Sequence, residues 1–138
     1  MGVLTWSPLS GGWLTGKYRR KDPAPAGSRG ETNPDHFDGG NDAKFDAVEA
    51  LVALANEAGL SPAHMALAWN VEHPAVTAAL IGPRTEEQLE DLLGAADLRL
   101  DPDLLDAIDN VVAPGTTVNQ ADVGWSPPGL GRANRRRP

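Results

Sequence analysis

Hydrophobic and polar positions along the chain fall into stretches of different period. Gly2 to Ser7, GVLTWS, alternates and is β-prone at Val3, Thr5 and Trp6, and Pro8 stops it, so the pattern predicts a strand. From Ser10 to about Asn41 no period is sustained, and the stretch is rich in Gly, Pro and Asp. A loop of that length in a small domain points to function or disorder. Within it, Trp13 and Leu14 are the residues able to anchor.

Beyond Asn41 the period becomes helical. Phe45, Val48, Leu51, Val52, Ala55 and Ala58 share one face, with Asn41 or Asp42 as cap and Gly59 as stop. Ser61-Pro62 then sets an N-cap followed by proline at the first helical position, opening a second helix to about Glu72, apolar at Met65, Leu67, Ala68 and Trp69. PAVTAALIG, between Pro74 and Gly82, is short and apolar on both faces, which suits a buried parallel strand, Ala75 to Ile81. A third helix starts where that strand ends. Thr85 and Gln88 form a capping box, and Leu89, Leu92, Leu93 and Ala96 make its apolar face. Asp101-Pro102 opens a last helix with Leu104, Leu105, Ile108, Val111 and Val112 inward.

The order strand, loop, two helices, strand, helix, helix contains one βαβα stretch, which implies an α/β fold with two parallel strands and about four helices. Two strands alone leave two open edges and too little apolar area for a sheet covered on both faces. The local signals are complete and the architecture they imply is not.

Composition narrows the classes. The 138 residues carry a formal charge of −7, and the terminal RANRRRP, with Arg132, Arg135, Arg136 and Arg137, leaves the rest more acidic still. An acidic body is a poor surface for a phosphate backbone, so no nucleic-acid partner is expected. Absence of cysteine removes disulfides and thiolate metal sites and favours a reducing, cytoplasmic setting. No apolar run approaches the roughly 20 residues of a membrane span, and no leader precedes the first strand, so no membrane partner is expected. Residues 1–114 read as the folded segment and 115–138 as a disordered tail.

Candidate chemistry sits in the two loops that follow the strands, because ligands of parallel α/β folds bind at the carboxyl ends of their strands. GPRTEEQ, from Gly82 to Gln88, offers helix-start N–H groups, the Arg84 guanidinium and the Thr85 hydroxyl for a phosphate, although Glu86 and Glu87 also satisfy the helix dipole. An ordinary capped helix with a solvated arginine is the plainer alternative. SPLSGGWLTGK offers glycines for close backbone approach, with Ser7, Ser10, Thr15 and Lys17 as polar groups; a tight turn with a few anchors is the alternative there. Trp6, at the strand end, reads either as a stacking platform or as a core residue. His64 and His73 are nine apart and do not make a zinc spacing, and Asp35-His36 has no third ligand, so no metal is expected. Tyr18 is the single tyrosine and reads as a surface residue of a turn.

WSPLSGGWLTGKY, SPAHMALAWNVEHPAVTAALIGPRTEEQLEDLL and PDLLDAIDNVVAP together resemble the carboxyl-terminal part of an aldo-keto reductase, in order and with natural spacing from Gly2 to Pro114. The resemblance implies a (β/α)8 TIM barrel, here incomplete, with Gly2 to Ser7 as strand seven and Ala75 to Ile81 as strand eight. It implies reduction of aldehydes and ketones by hydride transfer from NADPH without a metal. Trp6 matches the aromatic that stacks on the nicotinamide. Ser7, Leu9, Gly11 and Lys17 match the loop around the pyrophosphate. Gly82, Arg84 and Thr85 match the clamp on the adenosine 2′-phosphate, and Gln88 lies on the helix facing the adenine end. Leu92 stands where an asparagine is usual. No residue matches the family's Asp, Tyr, Lys and His tetrad, so no catalytic residue is assigned.

On this resemblance the chain is an NADP-dependent oxidoreductase fragment that carries cofactor-binding loops and is inactive alone. The expected partner is the missing amino-terminal barrel half, or a second copy associating through the exposed strand edges. A non-catalytic module of the same ancestry, binding a nucleotide or a protein, is the alternative. A small helical bundle in which the two apolar runs merely pack together is the third reading.

Overall fold

The computed structural model of the chain describes residues 2–34, 37 and 42–122. Asn41, Asp35-His36 and the terminal arginines lie outside the described residues. The strands are β1, Val3–Trp6, and β2, Val76–Leu80, paired in parallel with Leu4 opposite Ala78, Thr5 opposite Ala79 and Trp6 opposite Leu80. β2 is shorter by one residue at each end than the apolar run suggests. The register slips between Val3 and Leu4, where the Val3 N–H donates to Thr77 Oγ1 at 3.1 Å.

The helices are α1 (Arg29–Thr32), α2 (Asp42–Glu57), α3 (Pro62–Glu72), α4 (Glu86–Leu93) and α5 (Pro102–Val111). Their starts follow from side chains that accept otherwise unpaired N–H groups. Ser61 Oγ accepts from His64 N at 3.1 Å, Thr85 Oγ1 from Gln88 N at 3.2 Å, and Asp101 Oδ1 from Asp103 N at 2.9 Å. Each such cap is worth about 1 kcal/mol. Pro62 and Pro102 open their helices, where a missing N–H costs nothing.

Two core clusters share α2. It brings Val48 and Val52 to Trp13, Tyr18 and Phe37, while Ala55, one turn on from Val52, packs with Met65, Ala68, Leu100 and Ile108. In the first cluster the Trp13 ring is fully buried, stacked on Phe37 at 5.1 Å and edge-on to Phe45 at 4.8 Å. Aromatic pairs of this kind add about 0.5–1.5 kcal/mol beyond the area they bury. Lys44, on the first turn of α2, is also buried, its ammonium 4.5 Å from the Trp13 ring centroid and 2.6 Å from Asp122 Oδ2.

Several expectations are corrected. Tyr18 is not a surface residue: it is buried against Trp13 and Phe37, and its hydroxyl oxygen accepts from Gly30 N at 3.2 Å. The long aperiodic stretch is not all loop, because Ser10–Thr15 winds as a 3-10 segment and Arg29–Thr32 as a helical turn capped by Ser28. The expected inner face of α4 is not inner: no α4 residue is buried, and Leu89 and Leu93 are exposed. Ala58 lies past the end of α2 and is likewise exposed. Of the stretch expected to be a tail, residues 115–122 are described; Gln120–Asp122 forms a 3-10 turn, and Asp122 meets Lys44.

Opposed residues on paired strands share a face, so Leu4, Trp6, Ala78 and Leu80 form one side of the sheet and Thr5 and Ala79 the other. Leu4, Trp6 and Leu80 are exposed, whereas the Thr5 hydroxyl oxygen is buried. One apolar face of this parallel sheet is therefore bare, and among the described residues each strand pairs on one edge only.

Candidate functional site

Both loops leaving the carboxyl ends of β1 and β2 border one cleft of about 610 Å³. Parallel pairing is what brings them together, since strands running the same way end at the same edge. The first loop turns sharply at two non-glycine residues in the left-handed region, Ser7 (φ +54°) and Ser10 (φ +49°). Such conformations cost of order 1–3 kcal/mol each and cluster at ligand sites. Gly11 (φ +67°) and Gly12 (φ +103°) then continue a path that side-chain-bearing residues follow only with strain.

Eight of the nine residues singled out from the sequence line this cleft: Trp6, Ser7, Leu9, Gly11, Lys17, Gly82, Arg84 and Gln88. Thr85 does not; its hydroxyl oxygen caps α4 by accepting from Gln88 N, while Gln88 Oε1 accepts from Arg84 N at 2.9 Å. Trp6 stands 79% exposed at the strand end, outside both core clusters of the described residues. Leu92 also borders the cleft.

Sequence reasoning missed Arg29 and Asp91. Arg29 reaches the cleft because α1 packs back through Gly30, whose added Cβ would stand 2.8 Å from both Tyr18 Cε1 and Ala24 Cβ. No periodic signal marks it, but its place after the Ser28 cap is legible in hindsight. Asp91, on α4, lines the cleft and ties α4 to α3, with His64 Nε2 2.7 Å from the Asp91 carbonyl oxygen and 3.2 Å from its Oδ1.

Among the described residues the cleft sets three cations, Lys17, Arg29 and Arg84, against one carboxylate, Asp91. Its balance is positive in a chain that is acidic overall. Space is left where a ligand backbone would need it: a Cβ built on Gly11 or Gly82 meets no atom within 4 Å. A positive, glycine-bordered cleft with an exposed indole at its floor has the chemistry to hold an anion joined to a planar ring.

These features define a parallel α/β unit with a positively charged cleft at the strand ends. The chain belongs to the aldo/keto reductase family, whose model matches residues 1–113. It is 37% identical over 115 residues to YrpG of Bacillus subtilis, named an uncharacterized oxidoreductase, covering 83% of this chain and 33% of that protein. It is 34% identical over 118 residues to a probable voltage-gated potassium channel subunit beta of Arabidopsis thaliana, covering 81% of this chain and 35% of the relative. An L-glyceraldehyde 3-phosphate reductase of Escherichia coli is 32% identical over 122 residues, covering 83% and 34%. The chain spans about a third of the length of the curated relatives it matches. Among the described residues no helix is long and apolar enough to cross a membrane.

Proposed function

We propose that the cleft binds NADP(H) and that this chain is the cofactor-holding part of an aldo-keto reductase-type carbonyl oxidoreductase. The observation that carries the reading is the convergence of Trp6, Lys17, Arg29 and Arg84 on one cleft from two loops far apart in sequence. The residues present fit a phosphorylated dinucleotide, since Gly11 and Gly82 leave open space beside the cations. Bound there, NADP(H) supplies a hydride for reduction of an aldehyde or ketone. Trp6 offers its exposed face to the nicotinamide ring. Lys17 and Arg29 offset pyrophosphate charge, and Arg84 with Gly82 offsets the 2′-phosphate. Gln88 and Asp91 face the adenine end.

No residue of this chain is assigned to proton delivery. A positioned general acid contributes about 10²–10⁴ in rate, so the chain alone is expected to bind cofactor without useful turnover. The Asp, Tyr, Lys and His tetrad of the family would come from polypeptide that pairs with the free edges of β1 and β2 and covers the bare sheet face at Leu4. Titrating NADPH while following its fluorescence tests the reading. Saturable binding that weakens at least tenfold in Arg84→Ala is expected; unaltered affinity in that variant overturns the role given to Arg84. Carbonyl reduction by the purified chain would overturn the missing-acid part.

A further inference from the structure

Away from the cleft, a second cavity of about 380 Å³ opens where the two core clusters would otherwise meet. Its walls are Val48 and Leu51 of α2, Met65 of α3 and Ile108 of α5, and the segment 113–119 runs along its mouth. Interiors normally close around such apolar space, because unfilled volume forfeits contact energy. Ligand pockets of roughly 300–1,000 Å³, largely apolar with a few placed polar groups, are the common exception.

Among the polar groups lining the cavity, Lys44 and Trp13 lie side by side. Lys44 borders the cavity with a side chain only 8% exposed, held between Asp122 Oδ2 at 2.6 Å and the Trp13 ring at 4.5 Å. Trp13 borders the cavity beside it, and its buried Nε1 has no hydrogen-bond partner among the described residues. An ammonium has three donors, of which Asp122 takes one, and the indole N–H has none of the described acceptors, so a ligand oxygen placed between them would find donors. The charge of Lys44 is already matched by Asp122. A ligand anion would therefore place a second carboxylate against one ammonium in apolar surroundings, which is costly, whereas a neutral oxygen would not. Trp69 is 44% exposed and also lines the cavity, offering a ring face.

We propose that this cavity is a ligand site separate from the strand-end cleft, and that it takes a small, flat, uncharged molecule, mostly apolar with one carbonyl oxygen directed to Lys44 and Trp13. The proposal does not depend on the NADP(H) reading.

The neutral naphthyl ketone dye 6-propionyl-2-(dimethylamino)naphthalene is the probe, because its emission moves to the blue on entering apolar surroundings. Titrated into the full chain, it is expected to bind saturably at one site with a blue shift, to stay bound in excess NADPH, and to bind unchanged in Leu4→Lys, which alters the bare sheet face. Ala47→Phe, which fills the cavity from α2, should weaken it at least tenfold. Trp69→Ala should weaken it several-fold and remains informative if the first variant does not fold. Lys44→Met should weaken the ketone while leaving a matched naphthalene hydrocarbon unaffected. Four results would each overturn the proposal: non-saturable binding; displacement by NADPH; loss in Leu4→Lys; or an anionic naphthalene sulfonate that binds more tightly than the ketone and competes with it.

Discussion

The guanidinium of Arg84 donates to the carbonyl oxygen of Gly27 at 2.7 Å, joining residues 57 positions apart and linking the loop after β2 to the long loop after β1. Arg84 therefore does two things at once: it lends charge to the cleft and it fastens one rim to the other. Arg84→Ala should raise amide hydrogen exchange across 24–30 as well as weaken NADPH. The bond is exposed, so its loss should cost no more than about 1 kcal/mol of global stability in a urea melt. Unchanged exchange in that stretch would show that the loop is held by other contacts.

Thr85→Ala separates capping from ligand binding. Thr85 caps α4 without lining the cleft, and α4 buries no residue that would hold it otherwise. Losing the cap should cost about 0.5–2 kcal/mol and fray residues 86–93 by hydrogen exchange. NADPH affinity should fall less than in Arg84→Ala. A larger fall would assign the hydroxyl to the ligand.

Gly16 ends the 3-10 segment at φ +73°, and a Cβ there would stand 3.2 Å from Val52 Cγ2 and 3.3 Å from Pro62 Cγ. Gly16→Ala should destabilise by about 1–3 kcal/mol through left-handed strain and crowding together. Chemical denaturation reads this directly, and a neutral result would mean that the turn relaxes freely.

Tyr18→Phe removes the acceptor of the Gly30 N–H while keeping the ring. A buried donor left without a partner costs about 1–3 kcal/mol. Arg29, one residue from Gly30, should lose its place, so NADPH affinity should drop even though Tyr18 does not line the cleft. Stability loss with full NADPH affinity would uncouple the two.

The bare sheet face predicts association. Leu4 and Leu80 lie on one side of the sheet, 58% and 52% exposed. Sedimentation velocity should show self-association that increases with concentration and falls in Leu4→Glu/Leu80→Glu. A monodisperse monomer at all concentrations would remove the case for an edge and face in need of a partner.

The sequence was most readable where one local rule decides the outcome. Ser61, Thr85 and Asp101 each mark a helix start that the structure keeps, because capping depends on the next three residues alone. Most of the cleft was readable for a different reason: the residues follow strand ends, and parallel strands bring those ends together. What stayed hidden depends on packing over distance. Tyr18 and Phe37 sit in a stretch with no period, so nothing local says that they join Trp13. Arg29 follows from where Gly30 packs. The stripe of Leu89 and Leu93 has the spacing of a core face, yet burial requires a neighbouring element, and none of the described residues supplies one. Lys44 could not be read as buried, since its neutralising partner Asp122 lies 78 residues on.

The hydrogen bond between Tyr18 and Gly30 joins the residues that directly follow Lys17 and Arg29, and the aromatic cluster packs against Tyr18. The spacing between two of the cleft's three cations is therefore fixed by the hydrophobic core, not left to a wandering loop. An anion arriving there would meet two cations whose backbone positions are already set in folding, while their exposed side chains keep their rotamer freedom.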